Sequence, residues 1–464
     1  MEIKLYDTLR GQKVTFEPLN PYDIKMWVCG PTVYDRLHLG NARVPVVFDV
    51  LYRLLCLFHP AEHVTYASNI TDIDDKIIQR AAQRGIGIRD LTRETTRQYG
   101  DDMAALGVLK PYLTPRATDH VSDMISMIVD LIQKGHAYDT MGHVLFHVPS
   151  DPNHGRLSRH ALDDLLPGHR VALDPAVYKK HPADFVLWKP SPSGSGLPSW
   201  PSPWGGGRPG WHIECSAMIA HHLGSTIDIH GGGSDLIFPH HENECSQSEC
   251  HTGQPLARHW IHAGMVLHDG KKMAKSEGNF VTVRDAMERV PPEAVRLVLL
   301  STHYRQPLDF TWSRLLEAKA TLDRFYRAVE GLADVEIAPD PPPPAMLVQK
   351  LCDDLNTPEA LGLLHMITHH ALKAVNNRPN EKERVKRNLL GAGTILGLLT
   401  QTPEQWFRGS PDPTGDAMVG RLIDERNAYR AARDWREADR VRDELAAMGV
   451  VLEDKAGKTT WRRA

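Results

Sequence analysis

Apolar positions along the first third of the chain fall into short runs separated by stretches of helical period. Ile24 to Cys29 is a short apolar run bounded by turn residues and predicts a strand. After a Gly-Pro loop, Val46, Val47, Val50, Leu51, Leu54, Leu55 and Phe58 recur at helical spacing, with Pro45 expected to mark where regular geometry begins. Val64 to Ile70 predicts a second strand, and the next helix carries Ile77 and Ile78. Strand, helix, strand with a polar loop after the first strand opens a doubly wound α/β fold. Such folds bind nucleotides beyond the C-terminal ends of their strands.

The pattern loses regularity over 117–204, and 189–198 is a flexible loop by composition. This stretch is read as an insertion between two halves of the nucleotide fold, 1–116 and 205–255. The second half resumes with Thr226-Ile-Asp-Ile-His-Gly-Gly-Gly. A lysine-bearing loop region follows over 256–315. A helical bundle is expected over 316–400, interrupted by the proline-rich connector 339–345. A linker at 410–415 precedes a small unit, 416–464. Two helices are predicted there, about 418–433 and 435–448, with Gly449 as a helix stop and a β-hairpin turning at Ala456-Gly457.

Composition narrows the functional classes. A chain of 464 residues with 41% hydrophobic and 24% charged residues holds several ordinary globular domains. The net charge of −4 excludes a protein that is basic all over, so a nucleic-acid partner would be held by local basic patches. No apolar run reaches membrane-spanning length, and the start carries no signal-peptide pattern. The six cysteines are scattered and make no disulfide framework, so a reducing cytoplasm is expected. Functional cysteines would then bind metal or do chemistry.

Three segments carry candidate nucleotide chemistry. His38-Leu-Gly40-Asn41 lies where a strand runs into a helix, and a helix N-terminus offers unpaired N–H groups to phosphate. Gly40 lets a ligand approach the backbone. Lys272-Met-Ala-Lys275-Ser276 lies in a Gly- and Lys-rich loop whose lysines can clamp a leaving pyrophosphate. Between them, His230-Gly231-Gly232-Gly233-Ser234-Asp235 suits a flat adenine against Gly231 and Gly232 and a ribose hydroxyl on Asp235. Taken singly, these are a capped helix start, a solvated turn and a glycine turn.

Metal chemistry has two solutions on one segment. His240 and Glu244 are four apart on a predicted helix and share a face, which Cys29 and Cys215 could complete as a four-coordinate zinc site. His241 and Cys245 have the same spacing and make an equally sensible pair. His365 and His369 share the spacing too but are read as surface histidines. Cys56 and Cys352 are read as core residues. Near the C-terminus Arg426, Arg430 and Arg433 are expected on one helix face, and Arg462 and Arg463 flank Trp461. Basic and aromatic pairing suits an unstacked base; the competing reading is a salt-bridged helix face.

Longer blocks carry a resemblance. Cys29-Gly-Pro-Thr-Val-Tyr-Asp, Asn69-Ile-Thr-Asp-Ile-Asp-Asp-Lys76, Trp211-His-Ile-Glu-Cys215-Ser-Ala-Met and Phe238-Pro-His-His-Glu-Asn-Glu244 all resemble the cysteinyl-tRNA synthetase family. So do Asp354-Leu-Asn-Thr-Pro-Glu-Ala360 and the tail from Arg433. His38–Asn41 and Lys272–Ser276 are similar to the HIGH and KMSKS signatures of class I aminoacyl-tRNA synthetases. The resemblance implies a Rossmann-type catalytic domain with an insertion, an α-helical bundle and a small α+β anticodon-binding unit. It implies Zn2+ on Cys29, Cys215, His240 and Glu244, a cysteine pocket lined by Cys29, Thr71 and Trp211, and the motif lysine at Lys275. It implies activation of L-cysteine by ATP with Mg2+, helped by His38, Asn41, Lys272 and Lys275, and transfer to the 3′ end of tRNA(Cys), with a monomer expected. Arg426, Arg430, Arg433, Trp461 and Arg462 are the expected tRNA contacts. Two positions depart from the pattern: Asn41 stands where the first signature has histidine, and Ala274 where the second has serine.

Overall fold

The computed structural model describes residues 1–160, 179–192, 194–273, 278–377, 381–409, 413–455 and 458–463. Contacts divide the chain into two compact units: Met1–Lys319 with Pro344–Leu363 and Ile395–Leu398, and Ala320–Pro343 with Leu364–Thr394 and Leu399–Ala464.

The first unit opens with the hairpin β1 (Lys4–Asp7) and β2 (Gln12–Thr15), followed by β3 (Ile24–Val28), α1 (Leu39–Phe58) and β4 (Val64–Ser68). Helix α1 starts six residues before Pro45 rather than at it. Its apolar stripe, from Leu39 and Ala42 through Val46, Val47 and Val50 to Leu54, is buried, and that burial outweighs the one N–H that Pro45 cannot donate to Asn41. Helices α2 (Asp75–Arg84) and α3 (Ile88–Ala105) follow, the first capped by the Asp74 carboxylate and stopped by Gly85 at φ 64°.

The segment expected to lack regularity includes regular elements among its described residues. It holds α4 (Val121–Gln133) and the strands β5 (Ala137–Thr140), β6 (His143–Phe146), β7 (Phe185–Pro190) and β8 (Gly207–Pro209). These strands form an antiparallel sheet in sequence order. Strands of three to six residues show too few alternations for their period to be read.

After it come α5 (Trp211–His222), β9 (Ile227–Gly233), α6 (Glu242–Thr252) and β10 (Ala257–Ala263). The central sheet has the order β10-β9-β3-β4 with every pair parallel. All seven residues of β9 are buried, as a strand covered on both faces requires. Val28 is in register with both Gly231 and Ser68, so Cys29, Gly232 and Asn69 emerge together at the C-terminal edge, with Gly233 one residue beyond. The antiparallel strands and α5 share one apolar core with this sheet, including Trp27, Phe146, Trp188, Ile213 and Trp260.

The unit continues with β11 (Val266–His268), β12 (Lys271–Lys272), α7 (Val283–Met287), α8 (Pro292–Leu300) and β13 (Leu308–Phe310). Buried Asp49 on α1 is paired with Arg296 on α8 and with Arg53 at 2.8 Å. Helices α9 (Trp312–Glu330), α10 (Ala345–Cys352), α11 (Thr357–Asn377) and α12 (Lys382–Leu396) carry the helical region. Fully buried Asp354 accepts from the Tyr6 N–H, the Tyr304 hydroxyl and Arg305 Nε at 2.7–2.9 Å, a structural role for one of the longer blocks.

In the second unit α13 (Pro403–Arg408) packs on α9: Trp406 stacks on Tyr326 and donates to Asp323. Helices α14 (Pro413–Ala431) and α15 (Trp435–Ala447) and the hairpin β14 (Val450–Lys455) and β15 (Lys458–Arg463) close a small core of Val419, Leu422, Ile423, Val441, Leu445 and Val450. The hairpin has the expected register, Val450 opposite Arg463; its turn at Ala456-Gly457 lies outside the described residues. Among the described residues no helix is long and apolar enough to cross a membrane.

Candidate active site and metal centre

Four side chains from three separate segments converge in the buried core beside the sheet edge. Cys29 follows β3, Cys215 lies on α5, and Glu244 lies in the first turn of α6. His240 does not sit in that regular helix: it lies in the irregular turn Ile237–His241, which contains a cis Phe238–Pro239 peptide. The two sulfurs are 3.6 Å apart, each is 3.7 Å from His240 Nε2, and Cys29 Sγ is 3.5 Å from Glu244 Oε1. His240 Nε2 and Glu244 Oε1 are 2.9 Å apart. Tetrahedral zinc, with bonds of about 2.0–2.3 Å, spaces its ligand atoms by about 3.3–3.8 Å. The donor chemistry fits that ion and so do the sulfur distances, while the 2.9 Å His240–Glu244 pair would open by a few tenths of an ångström to admit it.

Outer partners fix the ligands. His212 Nδ1 is 2.9 Å from His240 Nδ1, and His230 Nε2 is 2.9 Å from Glu244 Oε2. Trp211 stacks on His240 at 4.3 Å between centroids. The alternative pair separates: His241 Nδ1 meets His262 Nε2 at 2.8 Å, and burial pushes the Cys245 thiol well up, with no metal-type cluster among the described residues including it. A second set, Cys29, His230, His241 and Glu244, shares two members with the first but brings only one sulfur.

Burial opposes charge on all four groups, and they settle it among themselves. The Cys29 thiol, which burial alone would raise, is held well below its ordinary value by the hydrogen bond with Cys215. That same bond, with burial, pushes Cys215 well up, so of the two sulfurs Cys29 is the more readily ionised. Burial works against His240 as a cation, yet the Glu244 carboxylate beside it raises it to about 10. Glu244 is held well below the carboxylate range, against burial, by His240 and His230. A divalent cation would replace these protons.

A cavity of about 300 Å³ opens beyond the strand ends; its wall includes Cys29, His38, Gly40, Asn41, Trp211, Gly233, Asp235 and Lys272. His38 is the N-cap residue of α1, with its backbone extended at ψ 164°. Gly40 is required by His38 itself, because a Cβ there would lie 2.8 Å from the imidazole Nδ1. The glycine run differs from expectation. Gly231 and Gly232 do not line the cavity; a Cβ on the first would strike the Phe48 ring at 2.2 Å and on the second His241 at 2.7 Å. They are small so that α1 and the histidines can pack on β9, and Gly233 alone of the three reaches the wall. Thr71 does not line the cavity either. It is buried and donates to Glu214, whose carboxyl is pushed well up by burial.

The second signature begins on a two-residue hairpin rather than a loop. Asp269 and Gly270 have φ of 51° and 74°, and Leu267 pairs with Lys272. This is the twist-matched turn for which Asp-Gly is the sequence signal. It presents Lys272, 55% exposed, 3.9 Å from Asp235. Lys275, with Ala274 and Ser276, lies outside the described residues. Arg43, fully buried on α1, donates to the carbonyls of Gly264, Gln306 and His303 at 2.7–3.0 Å and ties the first signature helix to this region.

The expected tRNA contacts are mostly engaged inside the second unit. Arg426 is buried and forks onto Asp454 at 3.2 and 2.9 Å, and Arg430 joins it at 2.8 Å. Arg433 is not on their helix face: α14 ends at Ala431, and Arg433 takes φ 60° in the turn to α15. Trp461 packs on the small core and under the Arg408 guanidinium, and Arg462 pairs with Glu453. The sequence reading gave no role to Trp435, which opens α15, is 61% exposed and lies between exposed Arg433 and Arg436. A large aromatic placed before the first apolar position of a helix was the available signal.

Comparison with known proteins accounts for this arrangement. Residues 15–320 match the family model described as tRNA synthetases class I (C) catalytic domain. Residues 348–400 match a DALR domain, and 412–462 a cysteinyl-tRNA ligase anticodon binding domain. Cysteine–tRNA ligases of Paramagnetospirillum magneticum and Acidiphilium cryptum are 52% and 53% identical, each aligned over 100% of both chains. Among solved structures, Mycobacterium tuberculosis methionyl-tRNA synthetase in complex with methionyl-adenylate has a TM-score of 0.55 at 15% identity, over 83% of this chain and 95% of that one. At that identity the likeness shows the fold alone. Sequence, fold and site together place the chain in the cysteinyl-tRNA synthetase family, the class I enzymes known as cysteine–tRNA ligases.

Proposed function

We propose that this enzyme selects cysteine through zinc held by Cys29, Cys215, His240 and Glu244, and activates it with ATP and Mg2+ in the adjoining cavity. The observation that carries this reading is that Cys29, a member of the buried metal-binding set, also lines the cavity that contains His38 and Lys272. Zinc bound there supplies a soft Lewis acid that prefers a thiolate to a hydroxyl, which separates cysteine from near-isosteric serine where pocket size cannot. Trp211 holds His240 in plane and walls the amino-acid end. His38 and Asn41 donate to the α-phosphate from the N-terminus of α1. Lys272 and Lys275 neutralise the departing pyrophosphate. Asp235 accepts from the ribose, with Gly233 giving the backbone clearance. The acceptor is tRNA(Cys), met by the helical region and the C-terminal unit, and the chain acts as a cytoplasmic monomer.

The test is cysteine-dependent ATP–pyrophosphate exchange with serine as control, run beside a metal count. Cys215→Ser is expected to lower bound zinc and raise the KM for cysteine by at least tenfold while the KM for ATP stays put. Full cysteine affinity in metal-stripped enzyme would overturn the zinc reading.

A further inference from the structure

Helix α5 carries Cys215 near its start and ends in two adjacent histidines, His221 and His222. His120, which immediately precedes α4, lies between them. The three rings sit 4.7–4.9 Å apart between centroids and are mutually inclined by 67–74°, so none stacks flat on another. One ring nitrogen from each lies within 4.8 Å of the others. Nε2 of His120 and Nε2 of His222 are 3.1 Å apart. Asp123, in the first turn of α4, accepts from Nδ1 of His120 at 2.8 Å and lies 3.2 Å from Nδ1 of His221.

We propose that His120, His221 and His222 form a second site for a borderline divalent cation of the zinc, cobalt and nickel class, with Asp123 as its orienting carboxylate. Four features carry this. Two nitrogens bound tetrahedrally at about 2.0–2.1 Å stand about 3.3–3.4 Å apart, and the observed Nε2 pair needs almost no movement to meet that spacing. Asp123 holds the proton on Nδ1 of His120, which turns the Nε2 lone pair toward His222; this is the carboxylate–histidine arrangement that orients metal-binding imidazoles. One ring nitrogen from each histidine lies within 4.8 Å of the other two, close enough for a single ion to reach all three. The C-terminal end of α5 adds partial negative charge where the cation would sit. His120 is buried, while the side chain of His221 is 49% exposed, so the site opens to solvent on one side and keeps room for water. Three imidazoles and no sulfur select against magnesium and calcium, which prefer oxygen. No ligand is shared with the cysteine-containing set, and about 9 Å of helix rise separates Cys215 from His221.

The experiment uses the full-length chain, equilibrated with micromolar zinc chloride, desalted and counted for metal, with a parallel calorimetric titration of cobalt chloride. The wild type is expected to bind two metals per chain. His221→Ala and His222→Ala should each remove one and weaken the remaining cobalt affinity at this site at least tenfold. Cys215→Ser should remove the other metal and leave the histidine site in place, so failure of one site does not mimic failure of the other. His221 is half exposed, so its variant reports on the site without depending on how the core tolerates change. Asp123→Asn should weaken binding by about 10–100-fold. Wild-type metal content and cobalt affinity in His221→Ala and His222→Ala would overturn the proposal.

Discussion

The backbone N–H of Leu39 donates to the carbonyl of Val281 at 2.9 Å, and Val283 returns a bond to Leu37 at 3.1 Å. The segment after the second signature is therefore laced to the backbone on both sides of His38. Arg43 reinforces the joint one turn into α1. Its substitution by methionine would leave several buried carbonyls without a donor. Hydrogen bonds from charged groups are worth about 1.5–3 kcal/mol each, so Arg43→Met is expected to cost about 3 kcal/mol or more. Urea unfolding checks it, and an unchanged midpoint would contradict the role.

Gly40→Ala should separate activity from stability. Alanine favours a helix by about 1 kcal/mol over glycine, so unfolding should be unaffected or slightly harder. The new methyl meets the His38 ring at its Nδ1 and displaces it. Exchange kcat is expected to fall about 10²-fold, the scale of losing one transition-state donor. Activity at the wild-type level would mean that His38 does not need its observed position.

Acid should destabilise the first unit through His259. Burial lowers this imidazole to about 4, against the pull of Asp7, so it is neutral when folded. The unfolded imidazole titrates at about 6.5. Above that pH neither state is protonated and there is no penalty. As pH falls from about 6.5 to about 4, only the unfolded state takes up the proton, and stability drops by up to roughly 3 kcal/mol before levelling off. His259→Leu should flatten that window in a series of denaturant midpoints between pH 7 and 4. An equal slope in the variant would assign the acid loss elsewhere.

Trp435 is exposed beside two cations, and an aromatic face of this kind stacks an unpaired base for about 1–3 kcal/mol. Trp435→Ala is expected to reduce tRNA charging by about 10–100-fold through the KM for tRNA. Pyrophosphate exchange should not change, because the side chain makes no contribution to the cavity wall. A parallel loss of exchange would argue for damage to the fold.

Much of the site was legible because its chemistry is local in sequence. Cys29, His38, Lys272 and the His240/Glu244 pair sit in short blocks whose residue types have few other uses together. The choice between His240/Glu244 and His241/Cys245 was not legible from spacing, since both are four apart. The turn at 237–241 decides it by aiming His240 at the sulfurs and His241 at His262. The packing reason for Gly231 and Gly232 was not legible, because a glycine read in sequence does not say which neighbour needs the space. Here Phe48 and His241 do. The four short strands of the insertion escaped notice for want of length. The Asp269-Gly270 hairpin did carry its signal. In the tail, Arg426 and Arg430 followed the salt-bridged reading, with Asp454 supplied by a strand that sequence spacing cannot bring near.

The central sheet also constrains how this chain is born. Strand β3 can pair with β4 early, but its other edge, with Met26, Trp27 and Val28, waits for β9. At about 5–20 residues per second, ribosomal synthesis leaves that apolar edge open for on the order of ten seconds or more. The antiparallel strands β5 to β8 pair in sequence order and are all made within this interval. Their longest pairing, Val144 with Trp188, spans 44 residues, whereas Val28 meets Gly231 across 203, so less loop-closure entropy opposes the inserted sheet. The inserted sheet can thus be complete, and able to cover apolar surface, before the nucleotide-binding half it interrupts has its final strands.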